Sequence, residues 1–354
     1  MPTRVTQVRQ DDLFLKAAGA APSPDNAQHW RFVVDGDQAT VLHRRGDAID
    51  PFGPAGHATL IGVGAMFENV AQAARAIDRP PPAWLEAPGE RFDAGYFRFG
   101  LSGLPWHDQA DLPLFGRHTN RFRFSTRPLP QALIDAVDTA PEPGLRVIPV
   151  TPGDCFEALG RVAHVCCQAR FCDQELHDWL MSSIRFSEGE VARGDGIDIA
   201  TIDLPPGGGA FMRFIRPWPR MAMLNRLRAY TLMAAQEVVK MRNASALLCL
   251  VGEATADGAL AAGALMERLW IALNAAGWGV HPYYVIADQW SRQQAGRGTA
   301  QWRAPVRTAL AELDTQLGIA SGERLHMMLR VGWPTRPDPV RSRRLPVAQL
   351  LDAD

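Results

Sequence analysis

Three clusters of side chains are placed to do chemistry. The first lies in the string Ala21-Pro22-Ser23-Pro24-Asp25-Asn26-Ala27-Gln28-His29-Trp30, where Pro22 and Pro24 stiffen the backbone. Ser23 and Asn26 there offer a hydroxyl and an amide, which suit the edge of a polar heterocycle. By itself the same loop is equally well a turn. The second cluster is Arg117-His118-Thr119-Asn120-Arg121. Arg117 and Arg121 are four apart and share a helical face, and the Thr119 hydroxyl can join them on one oxyanion. A surface arginine pair is the commoner fate of that spacing. The third is Arg341, Arg343 and Arg344 ahead of Leu345-Pro346-Val347, cations that can close on the same phosphate or form a solvated basic tail. Between the second and third runs Gly277-Trp278-Gly279-Val280-His281-Pro282-Tyr283-Tyr284-Val285, whose permissive backbone can aim an N–H from Tyr284 or Val285 at a bound ring. Its aromatics are also ordinary material for a core.

Other chemistries lose their support. The nine histidines form no H-E-x-x-H pattern and no ligand spacing with carboxylates, so no metal is expected. The five cysteines lack paired C-x-x-C spacing and read as reduced thiols of a cytoplasmic protein. A G-x-S-x-G elbow and a phosphate-binding Walker loop are absent, and Gly62-Val63-Gly64 lacks the rest of a dinucleotide fingerprint.

Composition places these residues in a globular chain. With 354 residues, 47% hydrophobic and 21% charged, a core of ordinary density is expected, in one large or two medium domains. The net charge of -1 gives no global field for nucleic acid or an anionic membrane, so neither partner is expected and any anion site must be local. Apart from Lys16 and Lys240 every basic residue is arginine, which favours bidentate contact with phosphate, although codon bias gives the same result. The amino-terminal stretch meets Asp11 and Asp12 before any apolar run, and Ala58 to Ala76 is interrupted by Glu68, Asn69 and Gln72. Neither a leader nor a membrane span is expected.

The elements that must position the clusters follow from periodicity. Residues 11–20 fit a short helix, and Arg31–Val34 with Gln38–His43 around Asp35-Gly36-Asp37 fit a hairpin. Leu60, Val63, Met66, Phe67, Val70, Ala73 and Ala74 give helical spacing over 56–76. The stretch 78–113, rich in proline and turn residues and with a strand at 96–101, reads as a link. A loop over 122–130, a helix over 131–139, a strand over 145–150 and a helix over 155–173 follow.

An internal repeat is also legible. Gly64-Ala65-Met66-Phe67-Glu68-Asn69-Val70 matches Gly263-Ala264-Leu265-Met266-Glu267-Arg268-Leu269, although alanine-rich helices can coincide by chance. The division expected is a first half over 1–113 with the polar loop and a second over 114–354 with the arginines. The first half lacks a basic opener, and in the second Ala140-Pro141 runs into Glu142-Pro143-Gly144 without a polar loop. The second half alone carries an excursion over 182–228, including Asp203-Leu204-Pro205-Pro206-Gly207-Gly208-Gly209, which is a candidate lid or a surface decoration.

Taken together these segments resemble the nitroreductase family of FMN flavoproteins, whose loop reads Ala-Pro-Ser-x-x-Asn-x-Gln-Pro-Trp. Here His29 replaces the proline. Arg117 to Arg121 resembles the family's opening basic motif, and Gly332-Trp333-Pro334 with Arg341 to Pro346 resembles its closing segment. The family pairs subunits with FMN at their interface. The resemblance therefore implies an α+β nitroreductase-like fold made of two fused half-repeats, an intrachain pseudo-dimer with one complete site, either monomeric or paired as a homodimer. Asp50-Pro51 to Asn69 and the 185–205 segment are similar to the duplicated, lidded Acg-type branch. By resemblance the cofactor is bound by Pro22, Ser23, Asn26, Gln28, Arg117, Thr119, Arg121, Tyr284, Val285, Arg341, Arg343 and Arg344. Within that set the arginines neutralise the phosphate, Ser23 and Asn26 meet ring or ribityl chain, and the Tyr284-Val285 backbone meets flavin N5.

The function implied is an FMN oxidoreductase passing a hydride through N5 to or from a small organic substrate, with NAD(P)H as candidate donor. Two further readings stay open, a lidded FMN store with little nicotinamide turnover and a flavin-dependent dehydrogenase of a metabolite or carrier-bound intermediate.

Overall fold

The computed structural model describes residues 12–43, 56–85, 96–101, 111–138, 144–336 and 339–351. The expected link over 78–113 is only partly inside this set, and Asp50-Pro51 and Ala140 to Pro143 lie outside it. Described residues form an α+β chain with two four-stranded antiparallel sheets.

In the first sheet, strands Trp30–Asp35 and Gln38–His43 are joined by a two-residue turn with Gly36 at φ 57°. That conformation is open to glycine and matches strand twist in a hairpin. Tyr96–Gly100 and Ala83–Trp84 complete the order. Helix Leu13–Gly19 starts at Asp12, whose carboxylate accepts from the Phe14 amide at 2.7 Å, and it drives Phe14 edge-on against Phe32 and Phe99.

The second sheet orders Leu145–Val150, Ala246–Glu253, Glu323–Gly332 and Gly279–Tyr283. Its strand Ala246–Glu253 is apolar without alternation because both faces are covered. Ala246, Leu248 and Leu250 enter one core, and Leu247, Cys249 and Val251 enter another. Period two therefore survives as a choice between cores rather than between core and water.

The two sheets share one connectivity. In each, the first two strands in chain order are neighbours, a long helix follows, and the next two strands add in reversed order. The helices, His57–Ala76 and Ala256–Ala275, cross in contact. A Cβ on Gly64 would lie 1.9 Å from the Leu260 carbonyl oxygen, and one on Gly263 would lie 2.1 Å from that of Ile61. One sequence offset relates 64 to 263, 61 to 260 and Glu68 to Glu267, so each backbone seats the other at equivalent places. Glu68 pairs with Arg75 and Arg268, both at 3.0 Å.

The sheets differ between their first two strands. In the first sheet they are joined by the two-residue turn, whereas in the second residues 151–245 lie between them. Helices Asp154–Phe171 and Ala229–Arg242 of this insertion pack on the outer face of the sheet, and the segment between them builds a small core around Met181, Ile184, Met212, Ile215 and Met221. Beyond the last long strand the chain turns back over the first half. The Phe32 amide donates to the Leu350 carbonyl at 2.8 Å, and Leu350 is buried. All five cysteines are free thiols.

Candidate functional site

A cavity of about 1660 Å³ opens between the first half, the second half and the insertion. Pro22, Ser23, Asn26, Arg117, Thr119, Arg121, Tyr284, Val285, Arg341 and Arg344 border it, so the polar loop and the basic segment face one space. Gln28 and Arg343 are not on its wall.

The loop is bent by Asp25, Asn26 and Gln28, which take φ of 46°, 58° and 50°. Left-handed backbone at non-glycine residues costs on the order of 1–3 kcal/mol each and persists only where surroundings enforce it. Several bonds do so. Ser23 Oγ accepts from the Gln28 amide at 3.1 Å, and Asp25 accepts from the Trp179 indole at 2.8 Å. Asn26 Nδ2 donates to the Gly196 and Arg343 carbonyls, both at 2.8 Å. Buried Gln28 donates to the Gly194 carbonyl at 2.9 Å and accepts from the Leu345 amide at 3.1 Å. Gly194 and Gly196 have left-handed φ, and a Cβ on Gly194 would sit 2.4 Å from the Arg344 carbonyl oxygen. The amides of Asn26 and Gln28 thus hold loop, insertion and closing segment together, and Arg343 contributes its carbonyl.

The cations divide into engaged and available. Arg117 Nε lies 2.7 Å from Glu267 Oε1, both side chains are buried, and the guanidinium covers Trp270 at 4.5 Å. The Nε contact is an ion pair without a well-directed hydrogen bond, while Nη2 donates to the Ala20 carbonyl at 2.7 Å. Burial pushes the Glu267 carboxyl up to about 7, opposed by Arg117 and Arg344. Arg344 donates to the Ala21 carbonyl at 2.5 Å, and burial, reinforced by Arg117 and opposed by Glu267, lowers it to about 9. Arg341 is exposed beside Gly116. Arg121 is different. It makes a long bond to Thr201 Oγ1 at 3.4 Å, and among the described residues no carboxylate pairs with it. Burial lowers its pKa, with Asp25 and Glu237 acting at longer range in the opposite sense.

On the cavity wall helix Val285–Gln294 begins at Tyr284 without a side-chain cap. Its leading amides have no intrahelical acceptor and carry the positive end of the helix dipole. His281, also on the wall, has a buried Nδ1 without a hydrogen-bond partner. Such donors and acceptors suit a polar ligand held against Arg121.

Behind Tyr284 lies a relay that sequence reading missed. Tyr284 Oη is 2.8 Å from His57 Nδ1, His57 Nε2 is 2.9 Å from His326 Nδ1, and His326 Nε2 is 3.0 Å from the Glu253 carbonyl oxygen. A carbonyl only accepts, so for neutral rings each donor is determined. His326 donates to Glu253, His57 to His326, and the Tyr284 hydroxyl to His57. Burial, with Arg324 adding, holds His57 well below its ordinary range and brings His326 to about 4. No motif marks this relay, since His57 and His326 stand far apart in sequence. Glu267, by contrast, was visible inside the repeat.

These neutral rings make stability acid-sensitive. Unfolded histidines protonate near 6.5, whereas His326 stays neutral in the fold to about 4. Its contribution is therefore complete above pH 6.5 and lost as pH falls toward 4, on the order of 3 kcal/mol at ~1.4 kcal/mol per unit. Urea midpoints across this window should fall more steeply for the natural protein than for His326→Asn. Parallel slopes would place the acid loss elsewhere.

No protein-family model matches the chain, and no curated protein does. Among solved structures, the FMN and NADPH-dependent nitroreductase NfnB from Sphigopyxis sp. strain HMH aligns at 15% identity and a TM-score of 0.36, over 68% of this chain and 97% of its own. The FMN-dependent nitroreductase NfnB from Mycobacterium smegmatis in complex with NADPH aligns at 16% and 0.38, over 68% and 96%. A nitroreductase with bound FMN from Bacteroides fragilis aligns at 11% and 0.33, over 66% and 92%. At these scores the likeness is too slight to carry fold or chemistry across.

Proposed function

We propose that the cavity binds FMN and that the chain is an FMN-dependent, nitroreductase-like oxidoreductase, built as two fused half-repeats that pair within one chain. The observation that carries this reading is the meeting of the Ser23–Asn26 loop and Arg121 on one cavity. The loop resemblance supplies the identity of the ligand, and the common sheet order with the mutually seated glycines supports the pseudo-dimer.

The residues present fit such a ligand in part. Arg121, a half-buried cation without a carboxylate partner, suits a phosphate, and Thr119 and exposed Arg341 also line the cavity. Arg344 stands at the same wall with part of its donor set used by Ala21. Arg117 is neutralised by Glu267, so its role is to hold the wall rather than to bind the anion. Ser23 borders the cavity with its oxygen accepting from Gln28, and Asn26 shapes the loop through its amide. The amides leading helix Val285–Gln294 suit a ring atom that gains negative character. FMN, when bound, supplies hydride transfer at N5. The chain's part is to position it, to offer donors and to keep water out.

A storage reading is favoured by one feature. The insertion that walls the cavity is fastened to the loop through Asn26, Gln28 and Trp179 and to the closing segment through Ser342, which accepts from the Asp198 amide at 3.2 Å. A cover bound on two sides restricts entry of a second molecule. Purified protein should carry FMN, identified by its absorbance and by the mass of the released nucleotide. Anaerobic NADH or NADPH should then bleach it if the site turns over, whereas bleaching by dithionite alone would favour storage. A colourless preparation that FMN cannot reconstitute would overturn both readings.

A further inference from the structure

The net charge conceals a local field. Between Asp203 and Glu237 the sequence has no carboxylate, yet Arg213, Arg216, Arg220, Arg226 and Arg228 all fall there. All five are exposed, and among the described residues none forms an ion pair. The bonds they make go to backbone, Arg213 to the Phe186 carbonyl at 2.9 Å and Arg220 to that of Phe214 at 3.1 Å.

Large apolar side chains are interleaved with these arginines and point to solvent. Phe214 is 44% exposed, Met223 50%, Leu227 79% and Leu232 74%. Phe214, Met223 and Leu232 belong to three consecutive helices, Gly208–Ile215, Trp218–Arg226 and Ala229–Arg242, and Leu227 caps the second. The inner residues Met212, Ile215 and Met221 are already committed to a core. On the third helix Leu232, Gln236 and Val239 are exposed at i, i+4 and i+7, one stripe along the solvent side. Arg220 stacks over Phe214 at 5.1 Å, which ties the first two helices into one face. An apolar surface of this kind signals an interaction site, because leaving it in water is costly.

We propose that this face docks on the surface of an anionic lipid bilayer. Exposed Phe, Met and Leu side chains enter the boundary of headgroups and acyl chains, while the arginines, none of them in an ion pair among the described residues, meet lipid phosphates. A second copy fits less well, since an isologous pairing would bring five arginines toward five others with no acid between Asp203 and Glu237 to meet them. Phe211 and Val239 belong both to the exposed face and to the cavity wall, so the bilayer lies at the cavity mouth. Among the described residues no helix is long and apolar enough to cross a membrane, and the contact is peripheral. Docking does not depend on whether FMN fills the cavity.

The test is sedimentation of the full chain with vesicles of phosphatidylcholine alone and of phosphatidylcholine with phosphatidylglycerol, at low and high salt. Anionic vesicles should bind at least about tenfold better, and salt should weaken that binding. Arg216→Glu with Arg220→Glu and Arg226→Glu should lower the partition coefficient roughly a hundredfold or more, at ~1 kcal/mol per cation removed and a further charge added. Leu227→Ser with Leu232→Ser should lower it about tenfold with thermal stability unchanged. Equal binding to neutral and anionic vesicles, or none to either, overturns the proposal. So does a dimer in light scattering that the Leu227→Ser, Leu232→Ser protein converts to monomer, which would assign the face to a second copy.

Discussion

Arg121→Glu is expected to empty the cavity of FMN, with affinity falling roughly thirtyfold to several thousandfold while the protein stays folded. Removing one partner of a desolvated, hydrogen-bonded charge pair costs about 2–5 kcal/mol, and ~1.4 kcal/mol is a factor of ten. Arg121 is the residue to change because no carboxylate pairs with it among the described residues, so in the ligand-free protein its loss exposes no buried acid. Arg117 would mislead. Glu267 is fully buried against it, and Arg117→Ala would strand that carboxylate at a cost of about 3–5 kcal/mol. Flavin loss in that variant would follow from a damaged fold. Titrating the flavin-free proteins with FMN, alongside thermal melts, separates the two. Unchanged FMN affinity in Arg121→Glu would remove the phosphate assignment even if other evidence for the flavin stood.

The largest stability effect should come from the helix crossing. Gly64→Ala places a methyl 1.9 Å from the Leu260 carbonyl oxygen, and Gly263→Ala places one 2.1 Å from that of Ile61. Neither obstacle is a flexible side chain, so the helices must separate. Overpacking of a close core costs about 1–3 kcal/mol and more where backbone blocks relief. Each variant should therefore lose about 3 kcal/mol or more, a fall in Tm of about 4 °C or more, or fail to accumulate as soluble protein. Because the two contacts are equivalent, the two losses should be similar. Gly189→Ala, with nothing within 4 Å of the added methyl, is the control and should melt like the natural protein. A mild, unequal pair of effects would contradict the view that one symmetric contact joins the halves.

The same glycines show where sequence reading reaches its limit. The Gly-x-x-x-Glu repeat was visible, and so was the helical spacing around it, because both depend on residues a turn or two apart. That each glycine receives the other helix's backbone depends on residues far apart in the chain. The strand Leu145–Val150 and the hairpin around Gly36 were likewise legible from alternation and turn chemistry. An excursion was expected over 182–228, whereas the segment between the paired strands Leu145–Val150 and Ala246–Glu253 runs from 151 to 245. Ala140 to Pro143, where the missing second loop was expected, lie outside the described residues.

At the site, the resemblance grouped Ser23, Asn26, Thr119, Arg121 and Tyr284 in one place, and all border one cavity. Partnership was not legible. Gln28 turns to Gly194 and Leu345, Arg117 turns to Glu267, and His57 meets His326 across the molecule. The sequence by itself determined the local elements, the polar and cationic segments and the Gly-x-x-x-Glu likeness of two helices, since propensity, turn geometry and hydrophobic period act between near neighbours. Only the tertiary structure decided which cations are spent on buried acids and which face the cavity, because that depends on desolvation and on partners brought together from distant parts of the chain.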